Sequence, residues 1–217
     1  MNFISDKTNK LKLVMFDFDG VLSKGRFYLS EKFRDHPDVT VIRNLLFDRQ
    51  CRPLMENWMK GRLNYQRLHQ QLSLQTGIGA DFMDQALKES VKGIEINRDL
   101  LEFSKLLRKK GTKTVIVTDN MDIFDQETVP YHKLNNYFDK IYSSSRYGLM
   151  KNELGGEMLK LVLKDFDLAP QEAAFTDDSK TTGQIAEQMG LHFYLYENYE
   201  KSFDGFLAWL KSTFQNA

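Results

Sequence analysis

The chain has 217 residues with 30 Lys+Arg and 30 Asp+Glu, so its formal net charge is zero, and Cys51 is its lone cysteine. That length buries a sizeable core without disulfide staples, and the charge balance sets aside nucleic acid and acidic membranes as partners, leaving a small solute. No run of 18 or more apolar residues occurs, the start MNFISDKTNKLK has no leader-like apolar stretch, and Cys51 has no internal partner, so the expectation is a soluble cytoplasmic protein, a monomer or weak dimer.

Leu13, Val14, Met15 and Phe16 form the first apolar run, with the continuous hydrophobicity of a strand buried on both faces of a parallel sheet; it stops at Asp17, Phe18, Asp19 and Gly20. From Ser23 to Lys92 the spacing turns helical, and no strand is evident there. Val41, Leu45 and Leu46 mark one amphipathic segment, Leu54, Met55, Trp58 and Met59 a second, and Leu68 and Leu72 a third capped by Asn64, with Gly61 and Gly77 as stops; a fourth runs from Ala80 to Val91. A stretch this long exceeds what one crossover between parallel strands needs, so residues 23–92 are predicted to be an inserted helical cap on a core made of 1–22 and 93–217.

Alternation then resumes. Asn97 caps a helix carrying Leu100, Phe103 and Leu107, which ends in Arg108, Lys109, Lys110 and Gly111. Thr114 to Val117 is the next strand and ends at Thr118, Asp119 and Asn120; Asp139 to Ser143 is another, with Lys151 in the loop after it. A helix with Met158, Leu161 and Val162 leads to the strand Ala173 to Thr176, which ends at Asp177 and Asp178. A helix from Thr182 to Met189, a strand from His192 to Tyr196 and a closing helix with Phe203, Phe206, Leu210 and Phe214 complete an α/β pattern, read as a doubly wound parallel sheet with an inserted helical subdomain.

Right-handed crossovers bring the carboxyl ends of parallel strands to one edge, where such folds bind ligands. Asp17 and Asp19, Thr118 and Asn120, and Asp177 and Asp178 therefore converge, with Lys151 on the same edge. Carboxylates packed together repel unless cancelled, and either Mg²⁺ with its preference for oxygen ligands or Lys151 alone can do so.

This pattern resembles the haloacid dehalogenase superfamily of phosphatases, phosphomutases and dehalogenases over nearly the whole chain. The resemblance rests on Asp17, Asp19, Gly20 and Val21 in DxDGV, Thr118 in VIVTDN, Lys151 in YGLMKNE, and Asp177 with Asp178 in AAFTDDS. Within the helical stretch, WMKGRLNYQRLHQQL is similar to the cap segment of sugar-phosphate phosphatases and of epoxide-hydrolase-associated phosphatase domains. The resemblance implies a small phosphorylated metabolite as substrate and Asp17 as the nucleophile that becomes an aspartyl-phosphate. It implies Asp19 as the acid and base, and Thr118, Asp119, Asn120 and Lys151 as phosphate-binding groups. Mg²⁺ would be held by Asp17, Asp177 and the backbone carbonyl of Asp19, with Asp178 orienting a water or Lys151. The chain departs from the family pattern at Asn152, Glu153 and Leu154, where many relatives have Pro-Asp-Pro, and at Asp119, where Asn is commoner.

Dehalogenation needs a single aspartate and no metal, which leaves Asp19 and the Asp177 and Asp178 pair surplus. A phosphomutase uses the same core, and a binding module of the same fold would have no reason to keep every catalytic group. His36, His69, His132 and His192 lack ligand spacing and read as surface or core histidines, and Trp58, Lys60 and Arg62 read as a solvated helix end. A lid over Asp17 is expected to hinge near Ser23 to Arg26 and Lys92 to Ile96.

Overall fold

The computed structural model describes residues 10–24, 27–28, 31–33, 35–199 and 202–214. Gly25 and Arg26, half of the first expected hinge, lie outside them.

Strand β1 (Leu13–Phe16) is wholly buried and is followed by β2 (Ser23–Lys24). Helices α1 (Pro37–Leu46), α2 (Arg52–Met59), α3 (Tyr65–Thr76) and α4 (Ala80–Lys92) come next. Asn64 caps α3 by accepting from the Arg67 N–H at 2.9 Å, as its position in the sequence suggests. The chain returns through β3 (Glu95–Ile96) and continues with α5 (Arg98–Lys109), β4 (Lys113–Thr118), α6 (Val129–Tyr131), β5 (Lys140–Ser143) and α7 (Ser144–Tyr147). Helix α8 (Glu157–Asp165), β6 (Ala173–Asp177), α9 (Lys180–Gln188), β7 (His192–Leu195) and α10 (Ser202–Thr213) close the order.

Strands β5-β4-β1-β6-β7 make one parallel sheet with β1 at its centre. Because side chains alternate across a strand, each strand feeds two cores. Val14, Phe16, Ile116 and Ala174 pack with α5 and α10 through Leu100, Leu107, Phe206 and Leu210. Leu13, Met15, Val115, Val117 and Phe175 pack on the opposite face with α8 and α9 through Met158, Val162 and Ala186. The doubly wound sheet is thus the observed architecture. No helix among the described residues is long and apolar enough to cross a membrane.

A third apolar cluster belongs to the helical stretch, with Val39, Ile42, Trp58, Leu68, Leu72, Met83 and Leu87 buried together. One expectation is corrected here: the stretch from 23 to 92 opens on a strand, since Ser23 and Lys24 pair antiparallel with Ile96 and Glu95. Two residues are too few for a period-2 pattern to register, yet the pairing clamps together the two places where the chain leaves and rejoins the sheet. A second correction concerns Trp58 and Lys60, which do not form a solvated helix end. Trp58 is fully buried and its indole Nε1–H donates to Asp122 Oδ1 at 2.6 Å, while Lys60 is 8% exposed and pairs with Glu56 and Glu153. Only Arg62 of the three is exposed.

Candidate active site

The register of the sheet decides which side chains meet. Phe16 lies level with Thr176 on one side and Ile116 on the other, so the next residue, Asp17, emerges beside Asp177, and Thr118 ends the neighbouring strand. The Asp17 N–H continues the ladder by donating to the Thr176 carbonyl at 2.9 Å. Asp17 and Asp177 are 6% and 0% exposed, which removes both carboxylates from water.

Lys151, 4% exposed, answers that burial. Its Nζ lies 2.7 Å from Asp17 Oδ2 and 2.6 Å from Asp177 Oδ2, bridging the two acids. The remaining oxygens are also held: Asp17 Oδ1 accepts from the Phe18 N–H at 2.7 Å, and Asp177 Oδ1 from the Ser179 N–H at 2.8 Å. Asp17, Asp177 and the exposed Asp178 each offer an oxygen within 4.8 Å of the others. Hard oxygen donors this close are a donor set suited to a small divalent cation.

Gly20 makes room for the third acid. Its φ of +80° is unfavourable for other residues, and a Cβ there would come within 2.3 Å of Asp178 Oδ2. The turn also returns Ser23 to Asp19, whose Oδ1 accepts from Ser23 Oγ at 3.3 Å while its Oδ2 accepts from Asn120 Nδ2 at 2.9 Å.

Burial dominates the proton affinities. It raises the Asp17 carboxyl well above the usual carboxylate range, opposed by Lys151 and reinforced by Asp177. Burial likewise pushes Asp19 up to about 6, against the hydrogen bonds from Ser23 and Asn120 and the charge of Lys151. For Lys151, burial pulls the ammonium down, but Asp17, Asp177 and Asp119 outweigh it and hold it above its ordinary value. One lysine shared by several acids leaves the site short of positive charge.

Of the residues singled out in the sequence, Asp17, Asp19, Asn120, Lys151, Asp177 and Asp178 are brought together by these contacts. Asp119 joins them in a way that the sequence does not announce: its Oδ1 accepts from the Lys151 N–H at 2.8 Å and so fixes the loop that carries the lysine. Asn120 is fully buried: its N–H donates to Ser144 Oγ at 2.9 Å, its Oδ1 accepts from the Met121 N–H at 3.2 Å, and its Nδ2 donates to Asp19 Oδ2 at 2.9 Å. Thr118 is 1% exposed, and its Oγ1 has no hydrogen-bond partner among the described residues. The departure after Lys151 also has a structural use, since Glu153 accepts from the Met150 N–H at 3.1 Å and pairs with Lys60.

Sequence reasoning met Ser23 only as a hinge residue and Glu153 only as a departure from the family pattern, and missed Ser144 altogether. Ser144 Oγ donates to the Met59 carbonyl at 2.7 Å, tying α2 to the strand ends, and no motif marks it.

The arrangement has relatives of known fold. A HAD-like family hydrolase from Porphyromonas gingivalis superposes with a TM-score of 0.73 at 19% identity, covering 93% of this chain and 98% of its own. A HAD family enzyme from Bacteroides thetaiotaomicron, in complex with magnesium and inorganic phosphate, gives 0.65 at 20% identity over 85% of this chain and 93% of its own. The L-2-haloacid dehalogenase of Xanthobacter autotrophicus gives 0.60 at 16% identity over 84% and 76%. Bifunctional epoxide hydrolase 2 of Mus musculus is 26% identical over 213 residues, 87% of this chain but 37% of that protein; the Rattus norvegicus enzyme is 29% identical over 113 residues, 50% of this chain and 20% of that protein. The chain therefore spans well under half the length of these curated relatives. The model of the haloacid dehalogenase-like hydrolase family matches residues 11–190, and with five acids, a bridging lysine and a strand-end threonine set on a parallel sheet edge, the chain belongs to that family.

Proposed function

We propose that this hydrolase is a Mg²⁺-dependent phosphatase of a small phosphorylated metabolite, working through an aspartyl-phosphate on Asp17. The observation that carries the reading is Lys151 Nζ lying 2.7 Å from Asp17 and 2.6 Å from Asp177, with Asp178 beside them. A nucleophile that meets a dianionic phosphate needs more cancelled charge than one lysine offers, and the three clustered carboxylates fit a small hard cation. Asp17 and Asp177 would hold it, with the backbone carbonyl of Asp19, while Asp178 orients a water or Lys151. When bound, Mg²⁺ supplies positive charge against the phosphoryl oxygens.

In the first step an Asp17 carboxylate oxygen bonds to phosphorus, the ester P–O bond breaks, and Asp19 gives its proton to the leaving alkoxide. In the second, Asp19 takes a proton from water as the water oxygen bonds to phosphorus and the Asp17–phosphorus bond breaks. The raised proton affinity of Asp19, about 6, suits a group that is to hold a proton near neutrality. The unpartnered Thr118 hydroxyl and Lys151 offer donors to phosphoryl oxygens, whereas Asp119 and Asn120 hold Lys151 and Asp19 in place. Residues 23–92 act as a cap on the core of 1–22 and 93–217; the β2–β3 pairing and the bonds from Trp58 and Met59 to the strand-end loops support that division.

A dehalogenase or an epoxide hydrolase reading explains Asp177 only as a partner of Lys151 and leaves Asp178 without work, because neither reaction has a dianionic group to neutralise. Release of inorganic phosphate from p-nitrophenyl phosphate tests the proposal. The folded protein should turn over with Mg²⁺, stop with a chelator, and lose turnover in Asp17→Asn. No release by folded wild-type protein, or full turnover by the variant, overturns it.

A further inference from the structure

We infer that the alcohol portion of the substrate is an apolar alkyl or aryl group rather than a sugar; the inference rests on the phosphatase reading. A cavity of about 230 Å³ has Asp19 and Asp119 in its lining. Since Asp19 gives its proton to the leaving oxygen, whatever occupies this space is bonded to that oxygen. The cavity is therefore the seat of the alcohol.

Its walls are Phe27, Leu46, Phe47, Met55, Met59 and Met121, all apolar, drawn from both the helical stretch and the loop after β4. Two further walls, Tyr28 and Trp58, have polar atoms, but those are engaged elsewhere. Trp58 Nε1–H donates to Asp122 at 2.6 Å, and the Tyr28 hydroxyl bonds His69 Nε2, whose Nδ1 is in turn bonded to Asp84. That relay anchors the Tyr28 hydroxyl, and the residue itself takes an uncommon left-handed conformation, φ 62°.

At the floor, Asp19 already accepts from Ser23 and Asn120, and Asp119 from the Lys151 N–H. Beyond the remaining lone pairs of these two carboxylates the walls offer, among the described residues, no free donor or acceptor, so most of a sugar's hydroxyls taken into this space would leave water without a partner, which weakens binding. No lysine or arginine lines the cavity among the described residues, so none of them offers a second phosphate a counter-charge there. The size is also informative: a dry apolar cavity of about 150 Å³ already admits benzene, so this one takes a group larger than a phenyl ring.

Phosphate release by the Mg²⁺-loaded full chain should be compared across methyl, butyl and octyl phosphate, 1-naphthyl phosphate and glucose 6-phosphate. The expected result is kcat/KM rising about two- to fourfold per added methylene until the cavity is full, with 1-naphthyl phosphate well above glucose 6-phosphate. Phe47, 66% exposed at the mouth, can take a charge without disturbing the core. Phe47→Asp should narrow the octyl-to-methyl ratio at least about fivefold, and Met55→Gln should narrow it in the same direction. Glucose 6-phosphate cleaved as well as octyl phosphate, or a ratio that neither variant moves, overturns the inference and leaves the phosphatase standing. Failure to cleave any of the esters overturns both.

Discussion

At the carboxyl edge of the sheet the site is made of charges withdrawn from water, whereas the helical stretch facing it offers aromatic rings and methionines. Lys151 is pinned between Asp17 and Asp177 at 2.7 and 2.6 Å, and little there can shift without leaving a buried charge unpaired. Across the cavity, Met55 and Met59 are half-buried and Phe47 is exposed, and apolar walls of this kind tolerate exchange of one side chain for another of similar volume. The difference teaches that the chemistry and the choice of substrate are carried by two surfaces under unequal constraint. Changes on the first should abolish turnover; changes on the second should redirect it.

Removal of the lysine tests the first surface hardest. Lys151→Met should lower kcat at least about 100-fold and, with two buried carboxylates left facing each other, destabilise the fold by about 3–5 kcal/mol without a divalent cation. Mg²⁺ should then raise the melting temperature of the variant more than that of the wild type, because it replaces the lost charge. Equal stability and no greater response to Mg²⁺ would break the comparison. Asp19→Asn should cost about 10²- to 10⁴-fold in kcat on an alkyl phosphate. The loss should shrink on p-nitrophenyl phosphate, whose leaving group needs no proton; an equal loss on both would deny Asp19 its role as acid.

Glycine substitutions sharpen the contrast between docked and free parts of the helical stretch. Gly61 has φ +65° and a Cβ there would fall 2.0 Å from the Ser145 carbonyl oxygen, while Gly77 has φ +73° with nothing within 4 Å. Gly77→Ala should cost only the backbone strain, about 1 kcal/mol, and leave turnover alone. Gly61→Ala should cost more by denaturant titration, about 2–3 kcal/mol, and lower turnover too by lifting α2 from the strand ends.

The smallest effect concerns pH. Burial holds the His69 imidazole below its ordinary value of 6.5, against the pull of Asp84. Below pH 6.5 the unfolded histidine binds a proton that the folded one refuses, so stability is full above that pH and declines as pH falls through the folded value. The urea midpoint should drop between pH 7 and 5, and His69→Gln should flatten that part of the slope. An unchanged slope would show that His69 is not the group responsible.

What could be read from the sequence follows the same divide. Strands β1, β4 and β6 are buried on both faces, so Leu13 to Phe16, Thr114 to Val117 and Ala173 to Thr176 stand out as apolar runs, and the acids at their ends are conspicuous by contrast. Amphipathic spacing likewise announced α1 to α4 and the Asn64 cap, although the buried face of α1 is Val39, Ile42 and Leu46 and Val41, counted in its stripe, is exposed. The contacts of Trp58 with Asp122 and of Lys60 with Glu153 were not legible, because pairing with residues 64 and 93 positions away leaves no trace in local periodicity. Nor was the task of Asn120, which depends on where one amide points, or the cavity, whose walls from Phe27 to Met121 look like ordinary core residues one at a time.

The claim on which all of this depends is that Asp17 carries the phosphoryl group between the two steps. Acid quenching within a single turnover, followed by mass spectrometry of the peptide spanning Asp17, measures that directly. The account predicts one phosphoryl group on Asp17, present during turnover and gone once substrate is spent. Phosphate released in a burst with that peptide unmodified at every quench time would contradict it.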